Sequence, residues 1–173
     1  MTARAAAILA TDDELLRQCE VDRYRASGPG GQHRNKTESA VRVRHRATGV
    51  MAHADDSRSQ HENRLHAVRR LRAHLALEVR EPIDEAYQPS AALRAVLDGG
   101  AARLGEKTRQ TAGFWLAMAE LLDVVFACGA EVAATGARLG LGSGALARFL
   151  TCDPLVLRAI NQERGRRGLR PLR

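Results

Sequence analysis

With 173 residues, 45% of them apolar, and a formal net charge of +7, the chain is long enough for one domain or two small ones with a buried core, and it reads as a soluble globular protein. No uninterrupted apolar run of about 18 residues occurs, and the segment from Met1 to Leu9 is too short and too weakly flanked for a secretion signal, so no membrane partner is expected and the cytoplasm is the expected compartment. Cys19, Cys128 and Cys152 are too widely spaced for a disulfide framework or a zinc pair, and His33, His45, His53, His61, His66 and His74 are scattered without paired ligand spacing, so neither a metal nor a cofactor is expected.

Thr11-Asp12-Asp13-Glu14 has the form of a capping box and predicts a short helix that carries Leu15 and Leu16 inward and ends near Cys19. Val21 to Arg25 alternates as a strand does. It delivers the chain into Ser27-Gly28-Pro29-Gly30-Gly31-Gln32, where three glycines and a proline within four positions exclude helix and central strand and predict an exposed loop. Two glycines directly before a glutamine free the backbone for positive φ and let a ligand reach main-chain amides with no Cβ in the way. A bare tripeptide of this kind is also compatible with an ordinary surface turn.

Ser39 to Arg46 places Val41 and Val43 on one face of a strand and Arg42, Arg44 and Arg46 on the other. Ala47-Thr48-Gly49 turns it back into a second strand over Val50 to Ala54. Like charges side by side call for something anionic opposite, unless the face is merely solvated. Ser57-Arg58-Ser59-Gln60 is a second capping-box pattern, opening a long helix with Leu65, Val68, Leu71, Leu75 and Val79 at helical spacing and a stop after Glu81 at Pro82. Arg64, Arg69, Arg70 and Arg72 fall on its other faces.

Residues 82–89 are acidic and turn-like and read as a linker. Ser90 caps a helix through Leu97, Gly99-Gly100 breaks it, and Glu106 to Ala127 reads as one longer helix with Trp115, Met118, Leu122 and Phe126 to one side. Glu131 to Leu139 and Ser143 to Leu150 are two short helices about the turn Gly140-Leu141-Gly142, an outline compatible with a helix-turn-helix. Asp153-Pro154 starts a last helix through about Gly165, and residues 166–173 are expected to be flexible unless bound. The fold class is α+β: a small sheet covered by a long helix, followed by an all-helical C-terminal region. The expected divisions are 1–81, the linker 82–89, the helical region 90–163 and an arginine-rich tail 164–173.

Charge is unevenly placed along these elements. Residues 21–80 carry 13 Lys+Arg against 6 Asp+Glu, and residues 164–173 carry five arginines and no acid, so the rest of the chain is net −5. Concentrated cations of this kind mark a polyanion partner. Apart from Lys36 and Lys107 they are all arginine, whose planar fork suits phosphates and base edges, while only six aromatic residues exist to stack on bases. Backbone charge and shape, as in structured RNA, are therefore the expected basis of recognition.

Several blocks in order carry a more specific signal: Arg25-Ala26-Ser27-Gly28-Pro29-Gly30-Gly31-Gln32-His33, then Asn35-Lys36-Thr37-Glu38-Ser39-Ala40-Val41-Arg42, Thr48-Gly49-Val50, and Arg58-Ser59-Gln60 with Asn63-Arg64. Residues 25–80 thereby resemble the GGQ catalytic domain of class I peptide-chain release factors and of the codon-independent ribosome-rescue hydrolases related to them. The resemblance covers about a third of the chain, and the region from about 90 to 163 matches nothing in those relatives.

The resemblance implies that residues 1–81 form a peptidyl-tRNA hydrolase domain, whose substrate is the ester joining a nascent peptide to tRNA and whose nucleophile is water. The loop offers no Ser-His-Asp set and no carboxylate pair, and His33 alone lacks an orienting partner, so positioning and charge stabilisation must carry the chemistry. By the resemblance, the backbone N–H of Gln32 stabilises the developing charge, its side chain excludes nucleophiles other than water, and Gly30 and Gly31 serve conformation. Arg25, His33, Arg34, Lys36, Arg42, Arg44, Arg58 and Arg64 would face RNA, with Asn35, Gln60 and Asn63 as polar supports of the loop or of RNA contacts. Arg166, Arg167, Arg170 and Arg173 correspond to the basic tail that enters the mRNA channel in rescue relatives.

Only 24 residues precede Arg25, so stop-codon reading is not expected, and the implied role is release from stalled ribosomes by a monomer acting on large-subunit rRNA and peptidyl-tRNA. The alternative is a non-catalytic ribosome- or RNA-binding accessory protein. A DNA-binding regulator using residues 131–150 is a third reading, opposed by the glycines flanking Ser143 and by the presence of only Arg138 and Arg148 there.

Overall fold

Thr2 and Thr11 each set a hydroxyl over the amide three residues on, and a helix begins at each. In the computed structural model, which describes residues 2–24 and 39–173, α1 (Ala3–Leu9) starts where Thr2 Oγ1 accepts from the Ala5 N–H at 3.1 Å. No helix is expected there from the sequence. α2 (Asp12–Arg17) has the expected box: Thr11 Oγ1 accepts from the Glu14 N–H and the Glu14 carboxylate accepts from the Thr11 N–H at 2.8 Å, a bond that holds the Glu14 carboxyl below its ordinary value. Ile8, Leu15 and Leu16 point into the core.

Three antiparallel strands follow, β1 (Cys19–Tyr24), β2 (Ala40–His45) and β3 (Met51–Ala54), in the spatial order β1-β2-β3. The register pairs Val21 with Val43 and Val43 with Ala52, so Val41, Val43, Ala52 and Ala54 share the buried face, as period two requires. Gly49, at φ +73°, makes the β2–β3 turn. His45 closes that turn from inside. Its ring nitrogens lie 2.9 Å from Thr48 Oγ1 and 3.2 Å from Gln18 Oε1, an arrangement that fits a neutral imidazole donating from Nε2 to Gln18 and accepting at Nδ1 from the Thr48 hydroxyl.

Burial pushes His45 below its usual value. The folded chain therefore binds this proton less readily than the unfolded chain, and stability contributed here is lost as pH falls through about 6.5 towards the lower folded value. Amide-exchange protection at Val43 is expected to drop between about pH 7.5 and pH 5.5 in the wild type, and to drop less in His45→Gln. Equal losses in both would remove His45 from the account.

α3 (Gln60–Glu78) covers the buried face. Its cap is Ser59, whose Oγ accepts from the Glu62 N–H at 3.3 Å; Ser57, the expected cap, instead accepts from the Ser59 N–H and donates to Glu62 Oε2. The helix ends at Glu78 rather than Glu81, which leaves Val79 outside it. Val68, Leu71 and Leu75 are buried together with Ala67 and Ala76, and small residues at those positions let the helix sit close to the sheet. Arg70 and His74, one turn apart, take the carbonyls of His53 and Met51 on β3 and so blunt that sheet edge. Arg70 also bonds Asp56 at 2.8 Å and holds its carboxyl below the usual range. Arg72 ties the N-terminal helices down through Ile8 O, Ala10 O and Asp12 Oδ1.

The chain divides into two compact units, Met1–Glu78 and Val79–Arg173. In the second, Arg80 meets Asp123 at 2.9 Å, and the Tyr87 hydroxyl donates to Glu120 at 2.7 Å. α4 (Ala91–Gly99) is capped by Ser90, followed by a 3-10 turn over Ala101–Arg103 and by α5 (Glu106–Arg109). The single helix expected over Glu106 to Ala127 is two, because the Thr111 hydroxyl accepts from the Phe114 N–H at 3.2 Å and starts α6 (Ala112–Ala127) afresh. α6 is the core of this unit, with Phe114, Trp115, Met118, Leu121, Leu122, Val124 and Val125 all buried.

α7 (Val132–Leu139) and α8 (Ser143–Leu150) are joined through Gly140 at φ +67°. Gly136 lies so close to the Leu141 carbonyl oxygen that a Cβ there would meet it at 2.6 Å. α9 (Pro154–Arg166) begins at Asp153, whose Oδ1 accepts from the Leu155 N–H at 2.8 Å. The expected flexible tail is instead tied back. Gly168, at φ +71°, lets the Leu169 N–H reach the Arg164 carbonyl at 2.8 Å, and the Asn161 amide then pairs with both the N–H and the carbonyl of Leu172. No helix among the described residues is long and apolar enough to cross a membrane.

Candidate nucleic-acid interface

β1 ends at Tyr24 and β2 begins at Ala40, and the two are register partners, so both roots of the glycine-rich connection are held side by side. The expected exposed loop with Gly30, Gly31 and Gln32, and with Arg25, His33, Arg34, Asn35 and Lys36, lies outside the described residues.

Asn63, on the sheet-facing side of α3, belongs to the frame around the roots of this loop. One Nδ2–H donates to the Ser39 carbonyl at 2.7 Å, the other to the Ser57 carbonyl at 2.8 Å, and Oδ1 accepts from the Ser57 N–H at 2.9 Å. The residue is 0% exposed. Both amide donors of Asn63 are thus used within the chain, and they hold Ser39, at the root of the connection, against the helix. Asn63→Ala would leave two carbonyls and an N–H without partners, at an expected cost of about 1–3 kcal/mol. Urea unfolding of the full chain would read it, and Asn63→Asp, isosteric but lacking both N–H groups, is expected not to restore stability.

Beside the roots lies a groove of about 160 Å³, lined by Val21, Arg23, Val41, Gln60, His61 and Arg64. It exists because α3 leaves the inner side of β1 uncovered, so that Val21 stays 40% exposed on the face where its neighbours are buried. Arg23 and Arg64 make no ion pair among the described residues. An apolar floor, two guanidinium forks, an imidazole and an amide form a surface able to take a phosphate with its attached sugar. Gln60 and Arg64 were expected from the sequence; Arg23 and His61 were not. The signals were present, since Arg23 has the strand parity of Val21, and His61 is three residues before Arg64 on a helix.

Arg42 and Arg44 lie on the opposite face of the sheet. The anion that their spacing called for is within the chain: Asp22 bonds Arg42 at 2.9 Å and Glu20 approaches Arg44 at 3.8 Å, each directly across from its partner on β1. All four side chains are more than half exposed, so each pair is worth under about 1 kcal/mol and remains open to exchange for a stronger anion. Arg58 is exposed in the turn before α3.

In the second unit Arg166 and Arg167 share Glu163, at 3.5 and 2.7 Å. Arg170 and Arg173 are exposed and have no ion pair among the described residues.

The family model of the RF-1 domain matches residues 14–112. The chain is 42% identical over 105 residues to peptide chain release factor 1 of Leptothrix cholodnii, which covers 57% of this chain and 29% of that protein. It is 54% identical over 63 residues to peptide chain release factor 2 of Buchnera aphidicola subsp. Baizongia pistaciae, covering 36% and 17%. It is 57% identical over 56 residues to peptide chain release factor 1 of Caldicellulosiruptor bescii, covering 32% and 16%. The chain thus spans less than a third of the length of these curated relatives. No solved structure matches it.

Proposed function

Because the chain belongs to the RF-1 domain family, we propose that it hydrolyses the ester of peptidyl-tRNA on the ribosome, and that it does so on stalled complexes without reading a stop codon. Water attacks the ester carbonyl, the tetrahedral oxyanion accepts a hydrogen bond from the Gln32 backbone N–H, and the bond to the terminal ribose oxygen breaks, releasing the peptide acid and free tRNA. Gly30 and Gly31 give the loop the conformation that presents that N–H. Around it, Arg25, Arg34, Asn35 and Lys36 meet RNA together with the groove residues Arg23, Gln60 and Arg64. One oxyanion donor supplies about 2.7–4 kcal/mol, so the ribosome contributes most of the acceleration and the free protein is nearly inactive.

The observation that carries this reading is the RF-1 domain match, which contains Gly30-Gly31-Gln32 and the frame that holds the roots of its loop. Independence from a stop codon draws its support from the arginine-rich C-terminal end, which lies beyond the matched residues. The test is release of labelled peptide from ribosomes carrying an mRNA with no stop codon, beside ribosomes with a stop codon or a sense codon in the decoding site. Comparable release on all three is expected for saturating protein. Release only at a stop codon would overturn the codon-independent part, and binding with no release anywhere would favour the accessory RNA-binding role.

A further inference from the structure

The C-terminal eight residues carry an excess of arginine, yet they are built as a structural element. The segment after Gly168 returns along α9: the Arg170 carbonyl accepts from Arg164 Nε at 2.7 Å, and one turn back the Leu172 backbone is held at both ends by Asn161, at 2.7 and 3.0 Å. Arg164 is itself anchored, its Nη1 donating to Ala130 O at 2.5 Å. Arg173 follows Leu172 in the chain, and Arg158 precedes Asn161 on α9 by about one turn. Arg158, Arg170 and Arg173 are exposed and, among the described residues, have no anionic partner, unlike Arg166 and Arg167. One of these three arginines is thus on α9 and the other two are on the segment whose backbone is bonded back to α9 at Arg170 and Leu172.

We propose that α9 and the returning C-terminal segment form a preformed docking surface for double-helical RNA, with Arg158, Arg170 and Arg173 on backbone phosphates and Asn161 as the residue that positions them. A fixed array suits a partner whose phosphates are themselves fixed, as in a duplex. A single strand would need stacking platforms. In this unit Phe114, Trp115 and Phe149 are buried, Arg80 lies over the Phe126 ring, and Arg138 lies over the ring of the half-buried Tyr87. The proposal takes from the ribosomal reading only the choice of RNA as the polyanion.

The test uses the full chain, an RNA duplex of about 16 base pairs and a single strand of equal length, with binding followed by fluorescence anisotropy over a salt series. The duplex is expected to bind about tenfold more tightly than the strand. Combined Arg158→Gln, Arg170→Gln and Arg173→Gln should weaken duplex binding about 10- to 100-fold and reduce the slope of log K against log salt by about 2–3. Asn161→Leu changes no charge and should weaken duplex binding at least about fivefold while leaving strand binding unchanged. Leu172→Pro, which deletes the N–H that Asn161 accepts, should do the same without altering α9.

Equal affinity of the wild type for duplex and strand would overturn the proposal. So would wild-type duplex binding by the triple variant, or by both Asn161→Leu and Leu172→Pro. The assay contains no ribosome and no ester. A wild-type protein that prefers duplex yet releases no peptide from ribosomes would defeat the hydrolase reading and leave this one standing.

Discussion

Gly31→Ala is expected to lower the rate of peptide release on the ribosome by about 10²- to 10³-fold while leaving ribosome binding nearly unchanged. The magnitude is that of one oxyanion donor, about 2.7–4 kcal/mol. Gly31 immediately precedes Gln32, and its ψ sets the plane of the peptide whose N–H is assigned to the oxyanion. A Cβ there closes the positive-φ conformations to the backbone and obstructs approach of the ester to that amide. Binding is spared because the cations of the groove, Arg23 and Arg64, and the Asn63 clamp on Ser39 lie on the strands and on α3, outside the substituted peptide. Single-turnover release at saturating and at limiting protein separates the two effects. A parallel fall in binding and rate would show that Gly31 shapes the interface and would remove the oxyanion assignment.

Asp123→Ala is expected to destabilise the second unit by about 3–5 kcal/mol, the range for removing one partner of a buried ion pair. Asp123 lies within the α6 core with its side chain 1% exposed, meets Arg80 Nη1 at 2.9 Å and accepts from the Glu81 N–H at 3.2 Å. Its loss removes the carboxylate from the Arg80 guanidinium, which is only 23% exposed, lies over Phe126 at 5.4 Å and keeps its bond to the Ala119 carbonyl at 3.1 Å, and it leaves the Glu81 amide without that acceptor. Residues 80 and 81 would then be held to α6 less firmly, while Tyr87 and Ser90 keep their bonds to Glu120 one turn away. Trp115, the only tryptophan, is buried on α6 and reports the transition directly in a denaturant titration. Asp123→Asn keeps an acceptor for the Glu81 N–H and should cost less than the alanine variant. A loss under about 1 kcal/mol for Asp123→Ala would show that the Arg80 guanidinium is satisfied without the carboxylate, by the Ala119 carbonyl that it bonds at 3.1 Å.

Residues 80–90 illustrate how a segment without regular structure is read. The acidic, proline-bounded composition of residues 82–89 indicates a linker, yet Tyr87 within it and Arg80, Glu81 and Ser90 at its edges are bonded to two carboxylates of α6, Glu120 and Asp123, 30 or more residues further along the chain. Local composition reports that no helix forms there; it carries no information about partners that distant. The same limit explains Asn63. The family resemblance implied a polar support of the loop or of RNA contacts, whereas the carbonyl that Asn63 bonds belongs to Ser39, 24 residues earlier.

Features governed by neighbours in sequence were readable from the sequence. The Thr11 capping box, the Ser90 and Asp153 caps, the alternation of Val41 and Val43, and the glycine breaks at Gly100 and Gly140 all depend on side chains within a few residues of the backbone they satisfy. Thr111 shows the ambiguity that remains even locally. A threonine can continue a helix or start one, and only the observed bond to the Phe114 N–H separates α5 from α6.

By itself, the sequence determined the order and type of the principal elements, the α+β class of the first unit, the helical character of the second and membership of the release-factor family, because periodicity, capping and an ordered motif are properties of contiguous residues. Tertiary structure alone decided that Glu20 and Asp22 face Arg44 and Arg42, that Arg23 and His61 join Gln60 and Arg64 in one groove, that Asn63 holds the loop root and that the backbone at Arg170 and Leu172 is bonded back to α9. Each of these depends on strand register or on packing between distant segments, and a register shift of one residue would exchange every partner while leaving the local pattern unchanged.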